Sequence, residues 1–133
     1  MEAEVRIAIA TETDIVMARQ EGRRLASTLP FSASDLTVLA TAISEIARNI
    51  VCYAGRGQML IRLAERAGRA GVEVDATDEG PGIPDLRLAL QDGFSTSGSL
   101  GLGLPGARRL MDEFEVRSEN GRGTHITMRL WTR

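Results

Sequence analysis

The chain has 133 residues, of which 43% are hydrophobic and 26% are charged, and its net charge is −2. These values are typical of one globular domain and exclude a broadly basic surface for nucleic acid. Cys52 is the single cysteine and His125 the single histidine. They exclude a disulfide framework within one chain and a zinc site built from His and Cys, and they leave only His125 as the base of any hydrolytic triad.

Hydrophobic periodicity predicts the elements of the N-terminal half. Val5, Ile7 and Ile9 alternate with small or polar residues, as in a strand. Apolar residues at helical spacing then predict two helices, and Asp14 is the expected N-cap of the first. The predicted elements are a strand at residues 5–9, helices at 14–29 and 34–54, and strands at 59–65 and 72–78.

Glycine is concentrated in the C-terminal half, where nine of the 14 glycines lie between Gly80 and Gly123. The predicted elements there are a short helix at residues 85–91, a helix at 104–114, and strands at 114–118 and 124–131 around a hairpin at 119–123. This order predicts an α+β fold, a two-layer sandwich with helices on one face of a mixed sheet. No run of about 18 apolar residues occurs and the N-terminus lacks an apolar signal region, so we expect a cytoplasmic protein without a membrane span.

All 16 basic residues are arginines, because the chain contains no lysine. A P-loop requires a lysine on the β- and γ-phosphates, and an ordinary protein kinase requires a strand lysine. The sequence therefore excludes both sites in their standard form, together with Schiff-base chemistry.

A possible acid–base site lies on the second predicted helix. Glu45 and Asn49 are four residues apart and share a face that carries uncharged neighbours. A glutamate among apolar groups is paired, protonated or part of a pocket. Glu45 and Asn49 form either a helix-surface pair or a general base beside an oxygen ligand for Mg²⁺.

The segment Asp78-Glu-Gly80-Pro-Gly82 follows directly on a predicted strand. Glycines let the backbone turn there, and the carboxylate could accept a hydrogen bond from an exocyclic amine such as that of adenine. Taken alone, the segment is better interpreted as a plain turn.

A polar, glycine-rich stretch runs from Gly93 to Leu104 directly into a predicted helix. Free backbone N–H groups at a helix N-terminus favour phosphate, although such a loop can also be disordered. The stretch includes Gly101-Leu-Gly103-Leu-Pro-Gly106, which matches G-x-G-x-x-G. We reject a Rossmann fingerprint because the motif does not directly follow a strand.

Four motifs occur in a specific order: Glu-x-x-x-Asn on a helix, Asp-x-Gly-x-Gly after a strand, Gly-Leu-Gly-Leu before a helix, and Gly-x-Gly-Thr before the last strand. Together they resemble the GHKL ATPase superfamily, which includes histidine kinases, gyrase, Hsp90 and MutL. The resemblance implies one ATP-binding domain over residues 1–133, with the Bergerat fold, ATP and Mg²⁺.

The resemblance also implies roles for individual residues. Glu45 corresponds to the general base and Asn49 to the Mg²⁺ ligand. The implied nucleotide contacts are Asn49, Asp78, Gly80, Gly82, Ser97, Gly101, Leu102, Gly103, Leu104 and Thr124, with residues 95–100 as a short ATP lid. Cys52 and Tyr53 lie where related chains often carry Lys or His, and Arg48 or Arg56 could replace that basic contact.

Within the superfamily the chain is similar to the small serine kinases, and most of all to the switch-protein kinases of the bacterial stressosome. That resemblance implies phosphorylation of Ser or Thr on STAS-domain proteins, followed by activation of a PP2C-type phosphatase, without nucleic-acid or membrane partners. The alternatives are an anti-sigma factor kinase of the RsbW or SpoIIAB kind, a nucleotide-sensing module without transfer activity, and an ATP hydrolase that drives dimer closure.

Overall fold

The computed structural model describes residues 4–80, 103–119 and 121–133 of the protein. A single π-helical turn, Ile50–Ala54, follows directly on the second helix. The other elements of the described residues are β1 (Glu4–Ile9), α1 (Glu12–Ala26), α2 (Ala33–Asn49), β2 (Gly57–Arg66), β3 (Arg69–Asp78), α3 (Gly103–Leu110), β4 (Glu113–Glu119) and β5 (Gly123–Trp131). The helix predicted at residues 85–91 lies outside the described ranges.

The strands form one five-stranded sheet in the order β1-β2-β3-β5-β4. All four neighbouring pairs are antiparallel. The predicted α+β fold is confirmed, but within the described residues the sheet is antiparallel rather than mixed. A single crossover helix typically brings the chain back to add a parallel strand. Here two packed helices lie between β1 and β2, and the chain re-enters the sheet in the opposite direction.

The hydrophobic core lies between the helices and one face of the sheet. Alternate strand residues point into it, because successive side chains of a strand face opposite sides. The fully or almost fully buried strand residues include Ile9, Met59, Ile61, Val72, Val74, Met128 and Leu130. The apolar stripe of α1, formed by Ile15, Ala18, Gly22, Leu25 and Ala26, is buried. A Cβ at Gly22 would overlap Ile43, so this glycine permits the close contact of α1 with α2.

Four helix ends differ from the predictions by more than one residue, and one of them is the end of α1, which lies at Ala26 rather than at residue 29. The N-cap of α1 is Thr11, and Asp14 lies at the third helical position, where it completes a capping box by accepting from the backbone of the cap. The second helix changes to a π turn after Asn49 rather than continuing to Ala54. The third ends at Leu110, and Phe114 lies in β4, since β4 pairs with β5 from Glu113 onwards.

Helix α2 and the π turn together form a 22-residue segment, Ala33–Ala54, whose most apolar stretch has a mean hydropathy of 1.2. By length and composition this segment could cross a membrane. Half of its most apolar stretch is buried inside the domain, and Ile43, Ile46 and Ala47 have no exposed surface. Its composition therefore fits a core helix of this domain.

Candidate functional site

The C-terminal half of α2 positions Glu45 and Asn49 on one face, one helical turn apart. Glu45 is 8% exposed, which is unusual for a glutamate, while Asn49 is half-buried. Arg48 Nη1 lies 3.2 Å from Glu45 Oε1. Of the three states expected for this carboxylate, the geometry therefore favours the ion-paired one.

The π turn that follows Asn49 changes the direction of the chain. Its wide hydrogen bond runs from the Gly55 N–H to the Ile50 carbonyl at 2.9 Å. Gly55 ends the turn at φ +85, in the left-handed region that glycine adopts readily. Single π turns are rare and occur frequently at functional sites. Here the turn carries the chain from Asn49 to the start of β2, which pairs with the end of β3.

Asp78 is the last residue of β3 and forms a tight corner with the residues that follow it. Its Oδ1 accepts a hydrogen bond from the Gly80 N–H at 2.9 Å. Among the residues that the structure describes, none donates to its other carboxylate oxygen, Oδ2. One oxygen thus orients the side chain, and a carboxylate of this kind can also accept a hydrogen bond from an amine.

Three glycines allow other segments to approach the Asp78 corner. Gly57 faces Asp78 across the β2–β3 pair, and a Cβ there would lie 3.0 Å from the Cβ of Asp78. A Cβ at Gly80 would lie 2.6 Å from the Cβ of Ala54, and one at Gly123 would overlap the carbonyl oxygen of Asp78. Any side chain at these positions would push apart the π turn, β2, β5 and the end of β3.

Thr124 is directly opposite Asp78 in the β3–β5 pair and is half-buried. Its Oγ1 lies 3.2 Å from the hydroxyl of Ser118 on β4. Since opposed residues of two strands project on the same face, Asp78 and Thr124 both lie on the helix side of the sheet. The structure therefore brings these two sequence-predicted residues together.

Helix α3 begins at Gly103, at the end of the glycine-rich segment for which phosphate contacts were predicted. The Leu104 side chain is 6% exposed and belongs to the hydrophobic core. It anchors the start of α3, so contact with a nucleotide at this position would involve the main chain. Gly82, Ser97, Gly101 and Leu102, and the predicted lid at residues 95–100, lie outside the described residues.

The region around the π turn holds the other positions considered for a basic phosphate contact. Cys52 and Tyr53 are exposed, Tyr53 by 46%. Arg56 is exposed, whereas Arg48 is engaged by Glu45. The i,i+3 spacing of Glu45 and Arg48 is the sequence signal that could have indicated this ion pair.

A network of charged residues covers the opposite face of the sheet, which the sequence did not predict. Buried Glu73 accepts hydrogen bonds from Arg62 and from Arg129, the latter at 2.6 Å. Partial burial raises the pKa of Asp75, but hydrogen bonds from Thr127 and His125 outweigh it and hold that pKa below its ordinary range. These contacts join β2, β3 and β5 on the face away from Asp78.

Within the described residues no group of three or more His, Cys, Asp or Glu side chains could hold a metal ion. Mg²⁺ is usually held by few protein oxygens together with substrate phosphates and water. Among the predicted site residues, the Asn49 amide supplies such an oxygen.

The chain belongs to the family of histidine kinase-like ATPase domains, whose family model matches residues 9–130. It is 53% identical to the serine/threonine-protein kinase RsbT of Bacillus subtilis (strain 168) over 127 residues, which cover 96% of both chains. An anti-sigma F factor of Thermoanaerobacter sp. (strain X514) is 28% identical over 115 residues, 84% of this chain and 80% of the relative. The protein is thus a serine/threonine kinase that uses ATP.

Many solved structures share its fold. A crystal structure of the RsbU and RsbW domains of Rv1364c from Mycobacterium tuberculosis matches 99% of the chain with a TM-score of 0.67 and 21% identity. The present protein spans only 33% of the length of that larger chain. The mycobacterial sensor histidine kinase MprB matches 97% of this chain and 99% of its own, with a TM-score of 0.58 and 22% identity.

Proposed function

We propose that this kinase transfers the γ-phosphoryl group of Mg-ATP to Ser or Thr of STAS-domain proteins and then changes partner to activate a PP2C-type phosphatase. The substrates are of the RsbS and RsbR kind and the phosphatase is of the RsbU kind. The observation that carries this proposal is the 53% identity to RsbT, which extends over 96% of both chains. We place the protein in the cytoplasm, where both partners would be available.

Asp78 is the residue that recognises adenine. The exocyclic amine of the base donates to Asp78 Oδ2, while Oδ1 stays bound to the Gly80 N–H. Thr124 contributes its hydroxyl from the opposite strand. Gly82, Ser97, Gly101, Leu102 and the main chain at Gly103 and Leu104 complete the nucleotide site, with the phosphates next to the N-terminus of α3.

Asn49 is the protein ligand of Mg²⁺. Its amide oxygen lies at the end of α2, one turn beyond Glu45, and a hard oxygen is the donor that Mg²⁺ prefers. The ion would neutralise charge on the phosphates during transfer.

Glu45 acts as the general base. It accepts the proton of the substrate hydroxyl while the hydroxyl oxygen forms a bond to the γ-phosphorus. The bond between that phosphorus and the β,γ-bridging oxygen breaks, and ADP leaves with the bridging oxygen. Glu45 must lie within hydrogen-bond reach of the hydroxyl, or one water away, so the substrate docks over the end of α2.

An anti-sigma factor kinase is the second candidate, because anti-sigma F factors are 28% identical to this chain. The identity to RsbT is nearly twice as high and covers more of the chain, which favours the first candidate. Both candidates are kinases, so an activity assay does not separate them. A pull-down with sigma factor does.

The decisive test is transfer of labelled phosphate from ATP to a purified STAS-domain protein. We expect transfer with the wild-type chain and a rate about 10²–10⁴-fold lower with Glu45→Gln, the usual contribution of a general base. Asp75→Asn, on the opposite face of the same sheet, serves as a control. A full rate for Glu45→Gln would remove the base role, and absence of transfer to any STAS-domain protein would overturn the proposal.

A further inference from the structure

The ion pair between Glu45 and Arg48 differs from a second helical ion pair of the same spacing among the described residues. Arg24 and Glu21 on α1 also pair three residues apart, at 2.5 Å, but their side chains are 58% and 29% exposed. The Glu45 side chain is 11% exposed and that of Arg48 33%. Exposed pairs stabilise a helix very little, whereas a carboxylate withdrawn from water depends on its cationic partner.

This dependence matters because a general base must be ionised and correctly oriented when the substrate hydroxyl arrives. Arg48 lies beside the buried carboxylate, with its Nη1 at 3.2 Å from Glu45 Oε1. Its N–H bond to Oε1 limits rotation of the carboxylate about its terminal torsion, which is otherwise broad. A catalytic group that is misplaced by about 1 Å can lose about 10²-fold in rate.

We infer that Arg48 is a positioning residue that holds the Glu45 carboxylate oriented for proton acceptance. The inference rests on the proposed role of Glu45 as the base. Arg48 acts through Glu45 and does not bind the nucleotide phosphates. Arg48 could either contact the phosphates or position Glu45. A phosphate contact would change the affinity for the nucleotide, whereas a positioning residue changes the rate of the transfer step.

The test combines kinetics of phosphate transfer to a STAS-domain protein with calorimetric titration of Mg-ATP. Arg48→Gln should lower kcat by about 10–100-fold while the Kd and the KM for ATP change less than about 3-fold. Arg48→Lys keeps the charge but loses the planar guanidinium, so it should recover part of the rate. Arg24→Gln is the matched control, and it should keep the full kcat because it removes an exposed pair of the same spacing.

A double-mutant cycle shows whether Arg48 works through Glu45. Removing Arg48 in a Glu45→Gln background should lower the rate no further, since the base is already lost. Thermal melts verify that each variant is folded; if Arg48→Gln does not fold, Arg48→Lys and the double variant provide the comparison. An equal loss in both backgrounds, a weaker Kd for ATP, or an unchanged kcat would each overturn the inference. A full rate for Glu45→Gln alone would instead disprove the base role.

Discussion

Asp78 and Thr124 face each other across the β3–β5 pair, although they belong to distant motifs of the sequence. Gly123, the residue before Thr124, has φ +111 and leaves no room for a Cβ against the Asp78 carbonyl. The Gly-x-Gly-Thr motif therefore has a structural explanation. It lets β5 begin in contact with the corner at which Asp78 is held.

Asp78→Asn should weaken ATP binding by about 100-fold or more while the protein stays folded. The side chain keeps its size, but an NH₂ donor then faces the adenine amine, which leaves two donors unpaired. Calorimetric titration with Mg-ATP measures this loss. Asp75→Asn should keep its ATP affinity, because its side chain faces the other side of the sheet. Unchanged affinity of Asp78→Asn would disprove the adenine role.

Asn49→Ala should weaken binding of Mg-ATP by at least about 10-fold, since loss of groups that support a metal typically lowers its affinity by this much. Titration of ATP in the presence of a chelator should give the same Kd for Asn49→Ala and wild type. Glu45→Gln should bind Mg-ATP almost normally and lose only the transfer step. Equal effects of Asn49→Ala with and without Mg²⁺ would contradict the ligand role.

Gly123→Ala should destabilise the protein more than Gly121→Ala does. Both residues have positive φ, so each alanine brings strain of about 1–3 kcal/mol. At Gly121 the space is open, whereas at Gly123 the new Cβ would also push Asp78 away. Urea unfolding measures the difference, and only Gly123→Ala should lower ATP affinity. Equal stability and affinity of the two variants would show that the contact with Asp78 is unimportant.

The apolar faces of α1 and α2 could be predicted because a helical core face follows a fixed spacing within one segment. The end of α2 could not. Ile50 and Val51 continue the apolar composition, and the change to a π turn accompanies a contact between Ala54 and Gly80 that no local pattern contains. The same reason explains why Phe114 was placed in a helix. An apolar side chain that packs against the core fits the stripe of a helix as well as the inner face of a strand.

Only part of the candidate site could be predicted from the sequence. The spacing of Glu45 and Asn49 follows from one helix, but the Asp78 corner depends on the long-range pairing of β3 with β2 and β5. Residue patterns alone left each motif with a plain structural interpretation, and the family resemblance was needed to connect them. Glu73 illustrates the opposite case, since a glutamate in a strand gives no local signal that two arginines from neighbouring strands cover it.

Glu113→Gln should lower stability at neutral pH by about 1 kcal/mol, a modest value because the group is partly exposed. Hydrogen bonds from Trp131, Arg66 and Arg129, at 2.7, 2.6 and 2.9 Å, hold the pKa of Glu113 below its ordinary value of 4.5. A lowered native pKa means that the carboxylate stabilises the fold above its unfolded pKa and loses this effect as the pH falls through the native value. The difference between wild type and Glu113→Gln in urea unfolding should therefore shrink at acid pH. A constant difference would show that the ionised form is not favoured by folding.

Phosphorylation should release the STAS-domain partner from the kinase. Transfer requires the substrate hydroxyl to lie next to Glu45, so the product places about −1.5 to −2 charges beside that carboxylate and the phosphates of ADP. Like-charge repulsion in this half-buried region should weaken binding by about 10-fold or more, a typical coupling between two ligands. The affinities of the unmodified and the phosphorylated STAS-domain protein, each measured with ADP present, give the effect directly. Glu45→Gln removes one of the repelling charges and should reduce the difference between the two forms, whereas Arg24→Gln should preserve it. Equal or tighter binding of the phosphorylated form to wild type would refute this release mechanism while leaving the kinase activity intact.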